Sequence, residues 1–239
     1  MELSIDTSTS HASIALSDEG SMIDELAWHT AQNHTIELVP NIRHLLERQK
    51  TNIREVKALT VAVGPGSFNG LRVGITTAKG LAYVMGVPLV GIGTLEAIAH
   101  PYAASGLTIC PLLPMGRTEV AAAIFKTQDG VWSKVVAEHI TTIESLCSAI
   151  AEPIVFCGEI RPEQMAELRA KAGEWASIPQ QAAVERARYL AELGWCRIKA
   201  GDFNDPSTLQ PLYLKKPSIT NPTRREHDAL SDMRARTQG

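Results

Sequence analysis

The sequence predicts an α/β protein made of two similar lobes, each with a mixed sheet and flanking helices. The chain has 239 residues, 44% of them hydrophobic, which at ~150 residues per domain is enough for one or two packed cores. Each half opens with short alternating segments typical of strands and then alternates helical and strand patterns. The two halves share no repeat at the level of residue identity.

The first half begins with a predicted meander of two or three strands. Leu3 and Ile5 alternate with polar residues, the pattern breaks over 6–11, and it resumes from Ala12 to Leu16. A helix is predicted after the polar stretch 32–35 and runs to about Gln49. Its apolar residues recur at three-, four- and seven-residue steps, which places them on one face. The main members of this stripe are Leu38, Ile42 and Leu45.

A buried strand is predicted over 59–63, followed by a glycine-rich turn and a second helix that begins near Ser67 or Asn69. Gly86 and Pro88 are typical punctuation for the end of that helix. Another strand is predicted over 89–92, and Thr94 is expected to cap a short helix that reaches about Ala104. We therefore predict that the first lobe spans 1–104.

The second half is predicted to be a more divergent lobe spanning 105–215. Strands are expected over 107–113, 120–125 and 131–136, with a hairpin turn at Asp129-Gly130 between the last two. The remaining predicted elements are helices at 143–150, 162–172 and 182–199 and a strand at 154–157. The tail, 216–239, shows no periodicity and is expected to be mobile.

The first candidate site is the polar turn Asp6-Thr7-Ser8-Thr9 between two predicted strands. Successive backbone N–H groups and hydroxyls at such a turn can face a phosphate. Asp, Ser and Thr are also ordinary turn formers, so a plain structural turn is the competing interpretation.

The second candidate is the glycine-rich segment 64–74, in which a strand ends and a helix starts. The free N–H groups of a helix start attract anions. The segment matches neither common phosphate-binding glycine pattern, so the favoured interpretation is that Gly70 and Gly74 permit a close approach of another element. Ser67 is interpreted as a helix cap. The residues of interest are Gly64, Pro65, Gly66, Ser67, Gly70 and Arg72.

Charge and histidine spacing exclude several classes of protein. With 26 acidic and 23 basic side chains, the chain lacks the basic excess of a general nucleic-acid binder. No two of the seven histidines are four residues apart, so no metal site is predicted. The acidic N-terminal segment and the lack of a long apolar run predict a cytoplasmic protein without a membrane span.

The C-terminal stretch carries a local group of cations. A solvated tail is the default interpretation, and contact with RNA or a partner is the alternative. The cations outnumber three acids and are Lys215, Lys216, Arg224, Arg225, Arg234 and Arg236.

Several motifs resemble the TsaB (YeaZ) family of bacterial tRNA threonylcarbamoyladenosine biosynthesis proteins, which is glycoprotease-like. The resemblance covers about the first 100 residues and is strongest in the glycine-rich block 64–74. The other motifs are Ile5-Asp6-Thr7-Ser8, His34 to Pro40, Ala78-Lys79-Gly80-Leu81-Ala82, Thr94-Leu95-Glu96-Ala97 and, near the end, Pro211-Leu212-Tyr213-Leu214.

The resemblance implies an actin-like ATPase (ribonuclease-H-like) fold and membership of the complex that adds a threonylcarbamoyl group to the adenosine beside the anticodon of certain tRNAs. The implied partners are the catalytic paralogue TsaD, the ATPase TsaE and, through the complex, tRNA. Self-association is implied for the isolated protein. No cofactor of its own is implied, although ATP or ADP can lie at the complex interface.

Two departures support a non-catalytic role within this resemblance. TsaD-like relatives carry an HxxxH metal pair where this chain has Thr94 and Ile98, and neither residue replaces a histidine ligand. Many relatives also carry Asp-Ala-Arg shortly before Glu119-Val120, where this chain has Pro114-Met115-Gly116. No catalytic residue is therefore predicted, and the loop 6–9 is interpreted as a vestigial phosphate loop.

The resemblance places the contact with TsaD on the first lobe. If the two helices of this lobe are not fully used by the internal sheet, their apolar and small residues can form a helix bundle with the paralogue. A free-standing actin-like ATPase or phosphotransferase and a metallopeptidase are the alternative functions. The predicted interface residues are Leu38, Ile42, Leu45, Gly70, Gly74 and Ala78.

Overall fold

The computed structural model describes residues 1–31, 33–128, 130–179 and 185–215. The first sheet has five strands in the order β3-β2-β1-β4-β5. The β1–β2 and β2–β3 pairs are antiparallel, and the β1–β4 and β4–β5 pairs are parallel. Its strands and the helices between them are β1 (Glu2–Asp6), β2 (His11–Asp18), β3 (Ser21–His29), α1 (His34–Arg48), β4 (Ala58–Gly64), α2 (Phe68–Met85) and β5 (Leu89–Gly93).

The second sheet repeats this arrangement with the order β10-β9-β6-β7-β8. A short helix, α3 (Thr94–Ala99), and a 3₁₀ segment (His100–Ser105) lead into it. The sheet's antiparallel meander comes first in the chain, and parallel strands follow on its other side. Its elements are β6 (Thr108–Pro114), β7 (Glu119–Gln128), β8 (Val131–Thr142), α4 (Ile143–Ser148), β9 (Ile154–Gly158), α5 (Pro162–Lys171) and β10 (Ala176–Ser177), and α6 (Ala187–Lys199) follows.

The two helices of the first lobe cover one face of its sheet. Leu38 and Leu45 of α1 and Leu71 of α2 are fully buried, and they join the strand residues Leu3 and Ile5 in one apolar cluster. Complete burial of a leucine side chain contributes about 1.5–3 kcal/mol. The amphipathic stripes predicted from sequence are therefore the faces that these helices turn toward the sheet.

The last helix of each half packs against the opposite sheet. Leu95 and Ile98 of α3 lie in the core of the second sheet, and Leu190 and Leu193 of α6 lie in a cluster with β4 and β5 of the first. The chain beyond α6 stays with the first lobe, where the Leu212 N–H donates to the Val63 carbonyl (2.7 Å). The boundary at 104/105 stays a prediction, and α3 and α6 each bury apolar side chains against the sheet of the other half.

Most predicted elements are confirmed within one to three residues, including the end of α2 at Gly86, whose backbone is left-handed. The cap of α3 was predicted wrongly. Gly93 occupies the cap position and Thr94 is the first helical residue, because its side chain is buried. The sixth helix begins at Ala187 rather than 182. Asp129, residues 182–184 and the predicted tail 216–239 lie outside the described residues.

Candidate functional site

The loop between β1 and β2 carries the candidate phosphate-binding residues, and its polar groups bond to one another. The Asp6 carboxylate is fully buried. Its Oδ1 accepts hydrogen bonds from the Ser8 N–H (2.8 Å) and the Ser8 hydroxyl (2.6 Å). Its Oδ2 accepts from Arg186 Nε at 2.6 Å. The Asp6 carboxylate therefore accepts hydrogen bonds from Ser8, two positions along the chain, and from Arg186, which is 180 positions away in the sequence.

The glycine-rich segment at the start of α2 packs directly on this loop. A β-carbon at Gly70 would overlap the carbonyl oxygen of Thr7, and one at Gly74 would overlap the Thr7 hydroxyl oxygen. That hydroxyl donates to the Gly70 carbonyl at 2.8 Å. Close approach of another element at Gly70 and Gly74 is therefore confirmed, and the β1–β2 loop is the element that approaches.

The start of α2 is capped as predicted. The Ser67 hydroxyl oxygen accepts from the Gly70 N–H at 3.2 Å, and the Ser67 N–H donates to the Ser8 carbonyl at 2.6 Å. His34 closes the other side of the loop, where Nε2 donates to the Thr9 carbonyl at 3.0 Å. The Ser67 and Gly70 N–H groups at the start of α2 are thus used inside the protein.

The loop 6–9 does not fit a phosphate or a nucleotide in this conformation. A phosphate needs free N–H and hydroxyl donors, whereas the Ser8 N–H and the hydroxyls of Thr7, Ser8 and Thr9 donate to protein acceptors. The buried carboxylate of Asp6 would also repel an anion. The loop lies at the predicted place, and its interpretation as a vestigial phosphate loop stays a prediction.

The residues predicted to form the partner interface are used in the protein's own core. All six are buried: Leu38, Leu45 and Ala78 are 0% exposed and Ile42 is 5% exposed, and Gly70 and Gly74 lie against Thr7. Their predicted docking role requires that the protein's own sheet does not bury them. In the structure all six are buried within the first lobe. Leu38, Leu45 and Ala78 have no exposed surface for a partner to contact, whereas Ile42 also lines a groove between the two helices.

The outward side of the same two helices carries exposed apolar residues instead. We call this the α1–α2 face and define it by Ile36 and Val39 on α1 and Gly80, Tyr83 and Val84 on α2. Tyr83 and Val84 are each 83% exposed, and Ile36 is 71% exposed. Space around Gly80 is open, because no heavy atom of a neighbouring element lies within 4 Å of where a β-carbon would stand. Clusters of exposed apolar side chains mark interaction sites.

A groove of about 400 Å³ separates the two helices beside this face. Its floor is apolar and its rim carries the Arg43–Glu47 ion pair of α1 (2.7 Å). Side chains of one helix can insert into a groove of this form on another. The lining residues include Val39, Ile42, Leu46, Ile53, Thr77 and Leu81.

A cationic and aromatic cluster lies at the start of α2. The Arg72 guanidinium lies 4.5 Å from the centroid of the Phe68 ring, and that ring lies 4.9 Å from the ring of Tyr213. Arg72, Lys79 and Tyr213 line a small depression of about 250 Å³. Such a cluster offers both a positive charge and a stacking surface to a ligand.

The two positions that correspond to the metal pair of TsaD-like proteins are used in packing. Thr94 is fully buried and Ile98 is 2% exposed, in the core of the second sheet. Across the described ranges, no group of three or more His, Cys, Asp or Glu side chains is placed to hold a metal ion. None of the helices in those ranges is long and apolar enough to cross a membrane.

Sequence reasoning missed both the α1–α2 face and the partner of Asp6. The face had a visible signal, because Ile36 and Val39 are apolar residues outside the inward stripe of α1. Arg186 had none, since it is 180 positions from Asp6 and belongs to no motif.

Comparison with known proteins gives consistent relatives. A family model described as "TsaD: tRNA N6-adenosine threonylcarbamoyltransferase" matches residues 27–180. The chain is 40% identical to the tRNA threonylcarbamoyladenosine biosynthesis protein TsaB of Haemophilus influenzae over 232 residues, which cover 89% of this chain and 92% of the relative. It is 28% identical to the Bacillus subtilis protein of the same name over 159 residues, 65% and 69% of the two chains.

Solved structures establish the fold. A Pseudomonas aeruginosa protein described as similar to the peptidase YEAZ superposes with a TM-score of 0.76 at 21% identity, covering 90% of this chain and all of that one. The ethanolamine utilization protein EutJ of Carboxydothermus hydrogenoformans gives a TM-score of 0.52 at 11% identity over 81% and 90% of the two chains. Together with the paired sheets, these matches show an actin-like fold of two lobes.

Proposed function

Since this chain belongs to the TsaB family, whose members act in the biosynthesis of threonylcarbamoyladenosine in tRNA, we propose that it is a non-catalytic scaffold subunit that pairs with TsaD. The α1–α2 face is the observation that carries this proposal. It combines exposed apolar side chains with an open groove on the two longest helices of the chain's described part.

Helix pairing explains why this face is suited to a paralogue. A relative with the same fold presents two matching helices, and four helices in two layers bury both apolar faces. Gly80 supports this arrangement, because glycine in an exposed helix costs about 0.5–1 kcal/mol relative to alanine, while no described residue outside its own helix comes within 4 Å of its β-carbon position. A partner backbone that comes close at Gly80 accounts for the absence of a side chain.

The proposal that the chain is non-catalytic rests on two sites, the β1–β2 loop and the positions of the metal pair, whose residues make contacts inside the protein. The β1–β2 loop bonds to its own surroundings, and the positions of the metal pair hold a buried threonine and a core isoleucine. The side chains of Asp6, Thr94 and Ile98 are buried, which supports the absence of a substrate contact there. The alternative function, a free-standing ATPase or phosphotransferase, requires the phosphate contacts that the loop 6–9 no longer offers.

We place the remaining partners at the junction that docking creates. Arg72 is exposed at the start of α2, next to the rings of Phe68 and Tyr213, so ATP or ADP at the complex interface can use the charge and the rings of this cluster. TsaE and tRNA then engage the assembled pair rather than the isolated chain. Without TsaD, the same apolar face drives self-association.

The proposal is tested by mixing purified protein with TsaD and following the mixture by size-exclusion chromatography with light scattering. We expect a heterodimer to form at the expense of self-association, and we expect tRNA modification by the reconstituted enzymes to fall when this protein is omitted. Failure to form any complex, together with undiminished modification in its absence, would remove the scaffold role. Saturable ATP binding by the isolated chain, lost in Asp6→Ala, would instead favour the ATPase.

A further inference from the structure

The crevice between the lobes holds a fully buried guanidinium, that of Arg186 at the start of α6. Its Nε donates to Asp6 Oδ2 at 2.6 Å, and its Nη1 donates to Glu159 Oε1 at 2.8 Å. Asp6 ends the first strand of one sheet, and Glu159 follows β9 of the other. One side chain therefore joins the two lobes through two carboxylates.

The third guanidinium nitrogen completes the contacts. Nη2 donates to the Thr9 hydroxyl oxygen and to the His11 carbonyl oxygen, each at 2.8 Å. The Thr9 hydroxyl in turn donates to Glu159 Oε1 at 2.6 Å. Four acceptors thus surround one planar cation, which is the arrangement that guanidinium binds better than ammonium does.

The two carboxylates of this cluster depend on the positive charge of Arg186 for their compensation. Burial lowers the pKa of Arg186, but the charges of Asp6 and Glu159 raise it by more, so the pKa lies above its ordinary value and the group stays charged. Two carboxylates face one guanidinium, and the buried His11 Nδ1 lies 3.6 Å from Glu159 Oε1. Loss of the guanidinium would leave a buried carboxylate unpaired, which is strongly unfavourable.

The location is one where open α/β sheets bind external ligands, at the carboxyl ends of neighbouring strands. We propose that this crevice is a binding site for a guanidinium-type cation. The cation that occupies it is the side chain of Arg186, and this side chain fixes the angle between the lobes. The loop that resembles a phosphate loop has thereby exchanged an anionic external ligand for a cationic internal one. This inference does not depend on docking to TsaD.

Chemical rescue tests the site in the full-length protein. We expect Arg186→Ala to lower the melting temperature by several degrees, and guanidinium chloride at millimolar concentration, far below the molar range that unfolds proteins, to restore part of that loss. Urea at the same concentration has a similar shape without the charge, and we expect no restoration. Arg43→Ala removes an exposed guanidinium from an ion pair and serves as the matched control, without rescue by either compound.

Two further variants separate the charge of the site from its packing. In Asp6→Asn combined with Arg186→Ala, rescue should disappear because a charged acceptor is missing. If Arg186→Ala does not fold, Arg186→Lys keeps the charge but cannot reach all four acceptors, and we expect faster hydrogen exchange at the amides of residues 7–11 than in wild type. Rescue by urea equal to that by guanidinium, or unchanged exchange in Arg186→Lys, would overturn the assignment.

Discussion

The two lobes share one strand order but differ in the helices that cover it. In the first lobe, α1 and α2 have 15 and 18 residues, whereas the corresponding α4 and α5 of the second lobe have 6 and 10. The long pair buries one face on the sheet and still exposes an apolar outer face. The exposed side chains of the short pair include no large apolar residue. Similar topology thus leaves different surfaces exposed, because the outer face of a helix pair depends on the length of the helices and on their outward residues.

The lobes also differ in what their first turn contacts. The turn after β1 is buried and bonded to α2 and Arg186, whereas the corresponding turn after β6, residues 115–118, is largely exposed. Internal contacts therefore stabilise the turn that lies against the docking helices. Substitutions at corresponding positions of the two lobes measure how much more strongly the first lobe is stabilised by internal contacts.

The largest expected difference between the lobes is in the free energy of unfolding, and it concerns the apolar helix residues that face the sheet. Leu45→Ala in α1 removes a fully buried side chain, and we expect a loss of about 2–5 kcal/mol in the free energy of unfolding. Leu146→Ala in α4, at a half-buried position, should cost clearly less. Denaturant unfolding of both variants measures this, and equal losses would show that the helices of the two lobes are packed alike.

Helix caps give a smaller effect. Ser67→Ala removes the acceptor for the Gly70 N–H at the start of α2, with an expected loss of about 0.5–2 kcal/mol. Thr142→Ala removes the corresponding acceptor for the Ser145 N–H at the exposed start of α4. We expect a loss at the lower end of that range for Thr142→Ala. A greater loss for Thr142 than for Ser67 would contradict the difference in packing.

Two carboxylates should respond to pH in opposite directions. Burial raises the pKa of Glu96 on α3, with the charge of Glu138 adding to it, so the charged form is penalised and Glu96→Gln should raise the melting temperature at pH 7. Hydrogen bonds from Lys126 and Thr108 lower the pKa of Glu152, so Glu152→Gln should lower it. The Glu96 difference should shrink as the pH falls toward the ordinary glutamate pKa, and the Glu152 difference should shrink as the pH falls below it. Thermal melts at pH 7 and at acidic pH check the signs.

Local sequence patterns predicted the helices and strands, whereas contacts between distant segments determine which of their faces are buried and against which sheet. The stripe containing Leu38 and Leu45 identified α1, but a periodic stripe does not reveal whether its partner is the protein's own sheet or another chain. The exchange of α3 and α6 between sheets depends on contacts between distant segments and leaves no trace in local periodicity. The glycine-rich block predicted a close approach, but the identity of the approaching loop came only from the fold.

The most direct test of the docking surface compares two substitutions of a small residue by arginine on corresponding helices. Gly80→Arg lies in open space on α2, and Ala166→Arg lies at an exposed position of α5 in the second lobe, so both variants should keep the fold by circular dichroism. Binding to TsaD is then measured by titration calorimetry. We expect Gly80→Arg to weaken binding at least tenfold, which corresponds to about 1.4 kcal/mol, and Ala166→Arg to leave it unchanged. Unaltered binding by Gly80→Arg would contradict the assignment of the α1–α2 face.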